Sequence, residues 1–388
     1  NINGGTLLGA NANGVSAVSA SAVNTGGTLD LGNFAQTINA LTLAGGTLTT
    51  GSLTGAITSL GGTVKAIGGA VSLTTTSGTT TLSGANSYTG ATAINGGTLL
   101  GGNANAFSAA SATTINQNGT LDLGGLAQSI NAVTLAGGTL THGLLTGAIT
   151  STGGTISTLG GSAALTTTGG TTTLIGANTY TGPTNVNAGT LIVDGSAFSS
   201  TMTVKSGATL AGSGTIGTTT IMNGGTFAPG PVGAIGSMTV AGNLTFQSGA
   251  SYQVLVDPTH ASSANVTANQ ATLAGNVLAT FAPGSYITKQ YTILSASSID
   301  GAFDNLSTKN LPAGFTANLS YGASDVYLNL TATLGAPSPS SPPSLARATL
   351  VDNAESGAKA INGYFNSGGA LPANYLPLFG LTGSNLAN

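Results

Sequence analysis

The chain has 388 residues, 62 of them Gly, and only 15 carry charge: six Lys or Arg against nine Asp or Glu, a net charge of −3. A soluble domain usually has charge on about a quarter of its residues, so a value of 4% argues against an ordinary enzyme, and six scattered cations offer no footprint for nucleic-acid phosphates. With 40% apolar residues and no Cys, intrinsic disorder, disulfides, thiolate catalysis and zinc–cysteine sites also fall away.

From its first residues the chain repeats itself. Residues 2–93 overlay residues 94–185 without a gap, and 64 of the 92 positions are identical. Gly4-Gly5-Thr6-Leu7-Leu8 returns as Gly96-Gly97-Thr98-Leu99-Leu100, and a third copy opens at Ala188-Gly189-Thr190-Leu191 before diverging. Within a unit, a Gly ahead of a Thr-apolar pair or a Thr run recurs at Gly5, Gly27, Gly46, Gly62, Gly78 and Gly97. The second unit repeats the beat at Gly119, Gly138, Gly154, Gly170 and Gly189, and it continues at Gly207, Gly225 and Gly242. The mean interval of about 18 residues predicts one coil of a solenoid per beat.

Local chemistry selects strands for those coils. Segments such as Thr79 to Leu82 and Leu41-Thr42-Leu43 alternate polar with apolar residues or carry β-branched ones, Gly, Asn and Ser punctuate them, and Glu355 is the only Glu in the chain. Inward Leu, Val, Ile and Ala would line a thin core, with Thr and Ser outside. Scarce charge follows, because an ionic residue in a stacked strand would meet its own kind at close range. The expectation is an all-β, right-handed parallel β-helix, with residues 1–190 as the repeat solenoid, two 92-residue units of about five coils each.

After about residue 190 the repeat loosens, and large side chains such as Phe227, Phe246, Tyr252, Phe281 and Phe303 arrive, so residues 191–335 read as the last part of the solenoid with a thicker core and a cap. Residues 336–344 are a Pro/Ser linker, extended in polyproline II. The segment 345–364 is the convincing helix, 371–386 adds a short second one, and 345–388 forms the helical tail.

The unit Leu174-Ile175-Gly176-Ala177-Asn178-Thr179-Tyr180-Thr181-Gly182-Pro183-Thr184, followed by Gly189-Thr190-Leu191, resembles the passenger-associated repeat of bacterial autotransporters. Asn223-Gly224-Gly225-Thr226-Phe227-Ala228-Pro229-Gly230 is similar to a turn of that family, and Tyr291 to Ala296 with Leu319 to Leu328 resembles the C-terminal part of pertactin-like passengers. The resemblance implies a passenger of type V secretion, with residues 191–335 acting as an autochaperone and the tail leading to an outer-membrane β-barrel not in this chain. The chain opens in mid-pattern at Asn1, with no start Met or signal-like stretch, and reads as a passenger cut off just before its transporter.

Candidates for chemistry are few. His142 stands where the first unit has Thr50 and reads as a solvent-facing ladder residue; His260, after Asp257-Pro258-Thr259, reads as a loop residue. Asp30 and Asp122 are equivalent, five coils apart, and turn-stabilising; at about 24 Å of stacking they are too far apart for a carboxylate pair. Gly212 to Gly217 matches the dinucleotide Gly-x-Gly-x-x-Gly string with no βαβ unit around it.

No catalytic, cofactor-binding or metal residue is assigned, and no cofactor. The function expected is a non-catalytic passenger region at the surface of a Gram-negative-type bacterium, outer-membrane-associated or secreted, serving as an elongated stalk or adhesin. Its expected partners are its own barrel and a surface or host glycan or protein, with no nucleic acid and no membrane-spanning segment in the chain. The alternative is a β-helix enzyme, polysaccharide-acting or proteolytic, whose catalytic part lies outside the chain. A third reading, an ice-binding type of rod, would need a regular Thr ladder, which only Thr74 to Thr81 and Thr166 to Thr173 approach.

Overall fold

A computed structural model describes residues 1–15, 20–231, 233–257, 260–283, 289–334, 345–371, 375 and 378, and of 345–354 the backbone. The linker at 336–344 and most of the second helix at 371–386 lie outside the described residues. Among those described there are 28 strands and one helix, α1, Leu345–Asn366. The fold is a β-solenoid, and the chain divides into two compact units, residues 1–209 with 214–218 and residues 210–213 with 219–388.

In the first unit each strand pairs in parallel with the strand one coil on. Gly5–Leu8 lies on Gly27–Asp30, and Gly97–Gly101 lies on Gly119–Asp122 in the same register. The inward column Leu29, Leu48, Leu99, Leu121 and Leu140 is fully buried, while Thr28 stacks on Thr47 and Thr120 on Thr139. Burying such a Leu contributes roughly 1.5–3 kcal/mol. Three charges in this unit stack on neutral neighbours: Asp30 on Thr49, Asp122 on Thr141 and Lys65 on Ser83.

The strands Ala35–Gly68 and Ala127–Gly161 would each span about 110 Å if straight. They instead turn corners at positive-φ residues, Gly45, Thr50, Gly51, Gly55, Gly61, Gly62 and Ala66 in the first copy. At Gly55, with φ +138°, a Cβ would run into the carbonyl oxygen of Ile38 in the coil below. Only Gly lets the two backbones approach that closely.

Within the first unit two steps of the Gly beat depart from the coil register. Gly62 pairs with Thr80, and Gly154 with Thr172, two residues beyond the expected Gly78 and Gly170. A shift of two leaves every side chain on its own face of the strand, so Thr80 and Thr172 enter the core fully buried. There Ser59 Oγ meets Thr80 Oγ1 at 2.7 Å, and Ser151 Oγ meets Thr172 Oγ1 at the same distance.

The second unit departs further from the beat. Thr219 pairs with Leu244, Thr226 with Ser251 and Ser251 with Asn276, steps of 25 residues, so Gly242 does not follow Gly225 as the next coil. Later steps reach 28 and 29 residues, Val266 to Leu294 and Asn276 to Asn305. Wider coils enclose larger side chains, and Phe227, Phe246, Tyr252 and Phe303 pack ring to ring at 5.3–5.9 Å. Parallel stacking then gives way to antiparallel pairing, with Asp325–Ala332 joined to both Gln290–Gly301 and Phe315–Tyr321. Helix α1 packs on Asp325–Ala332, extending two residues past the predicted 364.

Candidate functional site

The densest repeated polar geometry lies in the two copies of Gly-Ala-Asn-x-Tyr-Thr-Gly, at 84–90 and 176–182. Asn86 is buried and ties three successive coils. Its Oδ1 accepts the backbone N–H of Ile67 at 2.9 Å, and its Nδ2 donates to the Ala106 carbonyl at 2.7 Å and, locally, to Ser83. Asn178 repeats the backward bond to Leu159 N–H at 3.0 Å and the local one to Ile175 at 2.9 Å.

Two residues on, Tyr88 sits in the core with its hydroxyl 2.9 Å from Thr92 Oγ1, which is 2.9 Å from Ser111 Oγ, which donates to the Gly90 carbonyl at 2.7 Å. A carbonyl can only accept, so the protons run from Tyr88 to Thr92 to Ser111 to Gly90. Tyr180, Thr184, Ser200 and Gly182 form the same directed chain. Burial pushes both tyrosines up to about 12, so they stay neutral donors at any ordinary pH.

Two buried glutamines, not anticipated from composition or motif, have the same character. Gln128 accepts the Ala106 N–H at 2.9 Å and donates to the Asn103 carbonyl at 2.8 Å, holding the loop after Gly101 against the core. Gln36 does likewise with Val15 and Asn11. Identity at the 92-residue offset marks both residues, but nothing in one copy shows that a Gln turns inward.

Asp30, Asp122 and Asp257 end strands, His142 occupies a positive-φ corner inside one, and His260 lies in a turn. Asp30 accepts the Gly32 N–H at 2.9 Å and the Thr50 hydroxyl; the Thr50 bond, then the Gly32 bond, hold its carboxyl below the usual range. Asp122 accepts the Gly124 N–H at 2.8 Å, and His142 Nδ1 stands 3.4 Å from its Oδ1. His260 Nδ1 is 2.6 Å from Asp257 Oδ2. Both imidazoles are largely exposed, and among the described residues neither has a serine hydroxyl as hydrogen-bond partner. Gly212 to Gly217 falls on the strands Thr209–Gly212 and Thr215–Ile216, with no helix following. Among the described residues no three His, Cys, Asp or Glu side chains gather where a metal could be held, and no helix is long and apolar enough to cross a membrane.

The passenger-associated-transport-repeat family matches residues 77–100 and 165–193. Each match contains one Asn–Tyr–Thr rivet with the strands on either side of it. This chain carries autotransporter passenger repeats. A second similarity agrees: the chain is 33% identical over 168 residues to a protein of Serratia marcescens named "Extracellular serine protease". That alignment takes in 40% of this chain and 16% of the relative, so the chain corresponds to about a sixth of that protein's length. The passenger repeats and the extracellular relative both point to a secreted or cell-surface location.

Proposed function

We propose that this chain is a non-catalytic region of an autotransporter passenger, displayed at the surface of a Gram-negative-type cell as a stalk or adhesin, with its own outer-membrane β-barrel as partner. One observation carries the reading: the polar side chains of the matched repeats, Asn86, Tyr88 and Thr92 and their counterparts Asn178, Tyr180 and Thr184, are committed to bonds within and between coils. Such residues build a scaffold. Cells with and without the protein, compared for binding to host surfaces, abiotic surfaces and one another, provide the test. Unchanged binding on every surface would sink the adhesin reading.

A protease is the second reading, favoured by the name of the Serratia marcescens relative. Acyl transfer by a serine needs a hydroxyl within hydrogen-bond reach of an imidazole oriented by a carboxylate. The pairs Asp122–His142 and Asp257–His260 supply the last two members. Cleavage of a denatured protein by the purified chain, abolished by a serine-directed phosphonate, would establish this reading over the first. An ice-binding array gains no support from the Thr columns: Thr74 stacks on Thr58 but meets Ala93 on its other side, and Thr166 stacks on Thr150 but meets Asn185, so each column is broken there.

A further inference from the structure

Among the described residues, the strand Asp325–Ala332 has no strand partner along part of one edge, and helix side chains stand in its place. Leu330 donates its N–H to the Lys289 carbonyl at 2.7 Å, where the neighbouring strand Gln290–Gly301 begins. On the same edge, two and four residues further on, Asn366 accepts the Ala332 N–H at 2.8 Å and donates to its carbonyl at 3.1 Å. Asn362 does the same for Leu334, at 2.9 and 3.0 Å. Thr333, between them, bonds the opposite side through the Gly314 carbonyl.

The match is geometric. Residues four apart on a helix rise about 6 Å, and residues two apart on a strand span about 6.8 Å, so carboxamides at i and i+4 meet alternate residues of an extended chain. Each carboxamide offers one acceptor and one donor, as a peptide group does. Lys289 Nζ donates to the Asn366 carbonyl at the C-terminal end of α1, where a cation is favoured by the helix dipole. Buried Phe365 meets Phe315 edge-on at 5.3 Å.

The covered segment, Asn329-Leu330-Thr331-Ala332-Thr333-Leu334, has no charge, Pro or Gly. Left open, an edge of that composition is a template for another strand. We propose that α1 is a removable strand surrogate, and that Asn362 and Asn366 seal an edge which otherwise pairs with the same edge of a second copy of this chain. Two identical edges pair antiparallel about a twofold axis, satisfying the symmetry of a closed dimer.

Hydrogen exchange on the whole chain tests the seal, and sedimentation at rising concentration tests its purpose. In the unaltered chain the amides of Ala332 and Leu334 are expected to exchange together with those of α1, well ahead of Leu328. In the double variant Asn362→Ala, Asn366→Ala those two amides open by about tenfold or more at concentrations where the chain is monomeric, and at higher concentration the chain dimerises. Lys289→Gln, which leaves both carboxamides in place, gives a smaller rise in exchange. Protection of Ala332 and Leu334 that outlasts opening of α1 in the unaltered chain overturns the seal. A double variant that opens at both amides yet stays monomeric at every concentration overturns the pairing.

Discussion

His142 Nδ1 lies 3.4 Å from Asp122 Oδ1, at the place where, 92 residues earlier, Thr50 donates its hydroxyl to Asp30. Both partners occupy positive-φ corners, Thr50 at +48° and His142 at +55°. The duplicated unit has kept the acid and its turn while exchanging the residue that faces it. The acid therefore serves the turn first: replacing Asp122 by Ala should cost about 1 kcal/mol through loss of the Gly124 bond. His142→Thr should change stability by less than about 0.5 kcal/mol, since an exposed pair contributes little. Urea unfolding of the two variants separates these contributions.

Removing the carboxamide of Asn86 should do more damage than any change to a surface acid. Asn86→Ala leaves the Ile67 N–H and the Ala106 carbonyl without their partner inside the stack, at roughly 1–3 kcal/mol for each orphaned group. Asn178→Ala should follow the same direction. Denaturant unfolding with matched slopes is the measurement, and a loss below about 1 kcal/mol at both sites would refute the rivet.

Alkali should unfold the repeat unit through its tyrosines. Unfolded, Tyr88 and Tyr180 ionise near 10; folded, burial holds them neutral to about 12. Their contribution is therefore complete below pH 10 and lost as pH rises from 10 toward 12, by roughly 2–3 kcal/mol per residue. A Tyr88→Phe, Tyr180→Phe chain should lose most of that pH dependence while starting from a lower stability at pH 7. Stability measured against pH from 8 to 12 decides it.

Acid acts on a different group. The hydrogen bonds at Asp30 lower its folded value, so its stabilisation is present above the unfolded value near 4 and disappears as pH falls through the folded one. The Thr50→Ala variant should lose less stability between pH 5 and pH 2 than the unaltered chain, checked by thermal melts at each pH.

Glycines in the same unit should differ sharply in tolerance. Gly147, at φ +148°, has the Ile130 carbonyl where its Cβ would go, whereas Gly169 has no atom within 4 Å of that position. Gly147→Ala should destabilise by more than about 3 kcal/mol, and Gly169→Ala should stay within about 1 kcal/mol of neutral. Melting temperatures of the two single variants check the contrast.

How far each feature was legible depends on whether its cause is local. The alternation around Leu29, Leu48, Leu121 and Leu140 and the copy offset determine strand type, facing and parallel stacking, because each follows from a period of two and from repetition. The motif at 84–90 was visible as a string, yet the inward turn of Asn86 and the proton order from Tyr88 to Gly90 depend on groups 19 to 21 residues away in adjacent coils. Sequence by itself determined that the chain is a low-charge stacked β repeat with a helix near its end. Only the tertiary structure decided the two-residue slip at Gly62, the 25-residue coils around Phe227 and Tyr252, and the seating of Asn362 and Asn366 on Leu334 and Ala332. A slip of two preserves every facing, an aromatic widens a coil only through its neighbours, and a carboxamide can replace a strand only where a strand is missing.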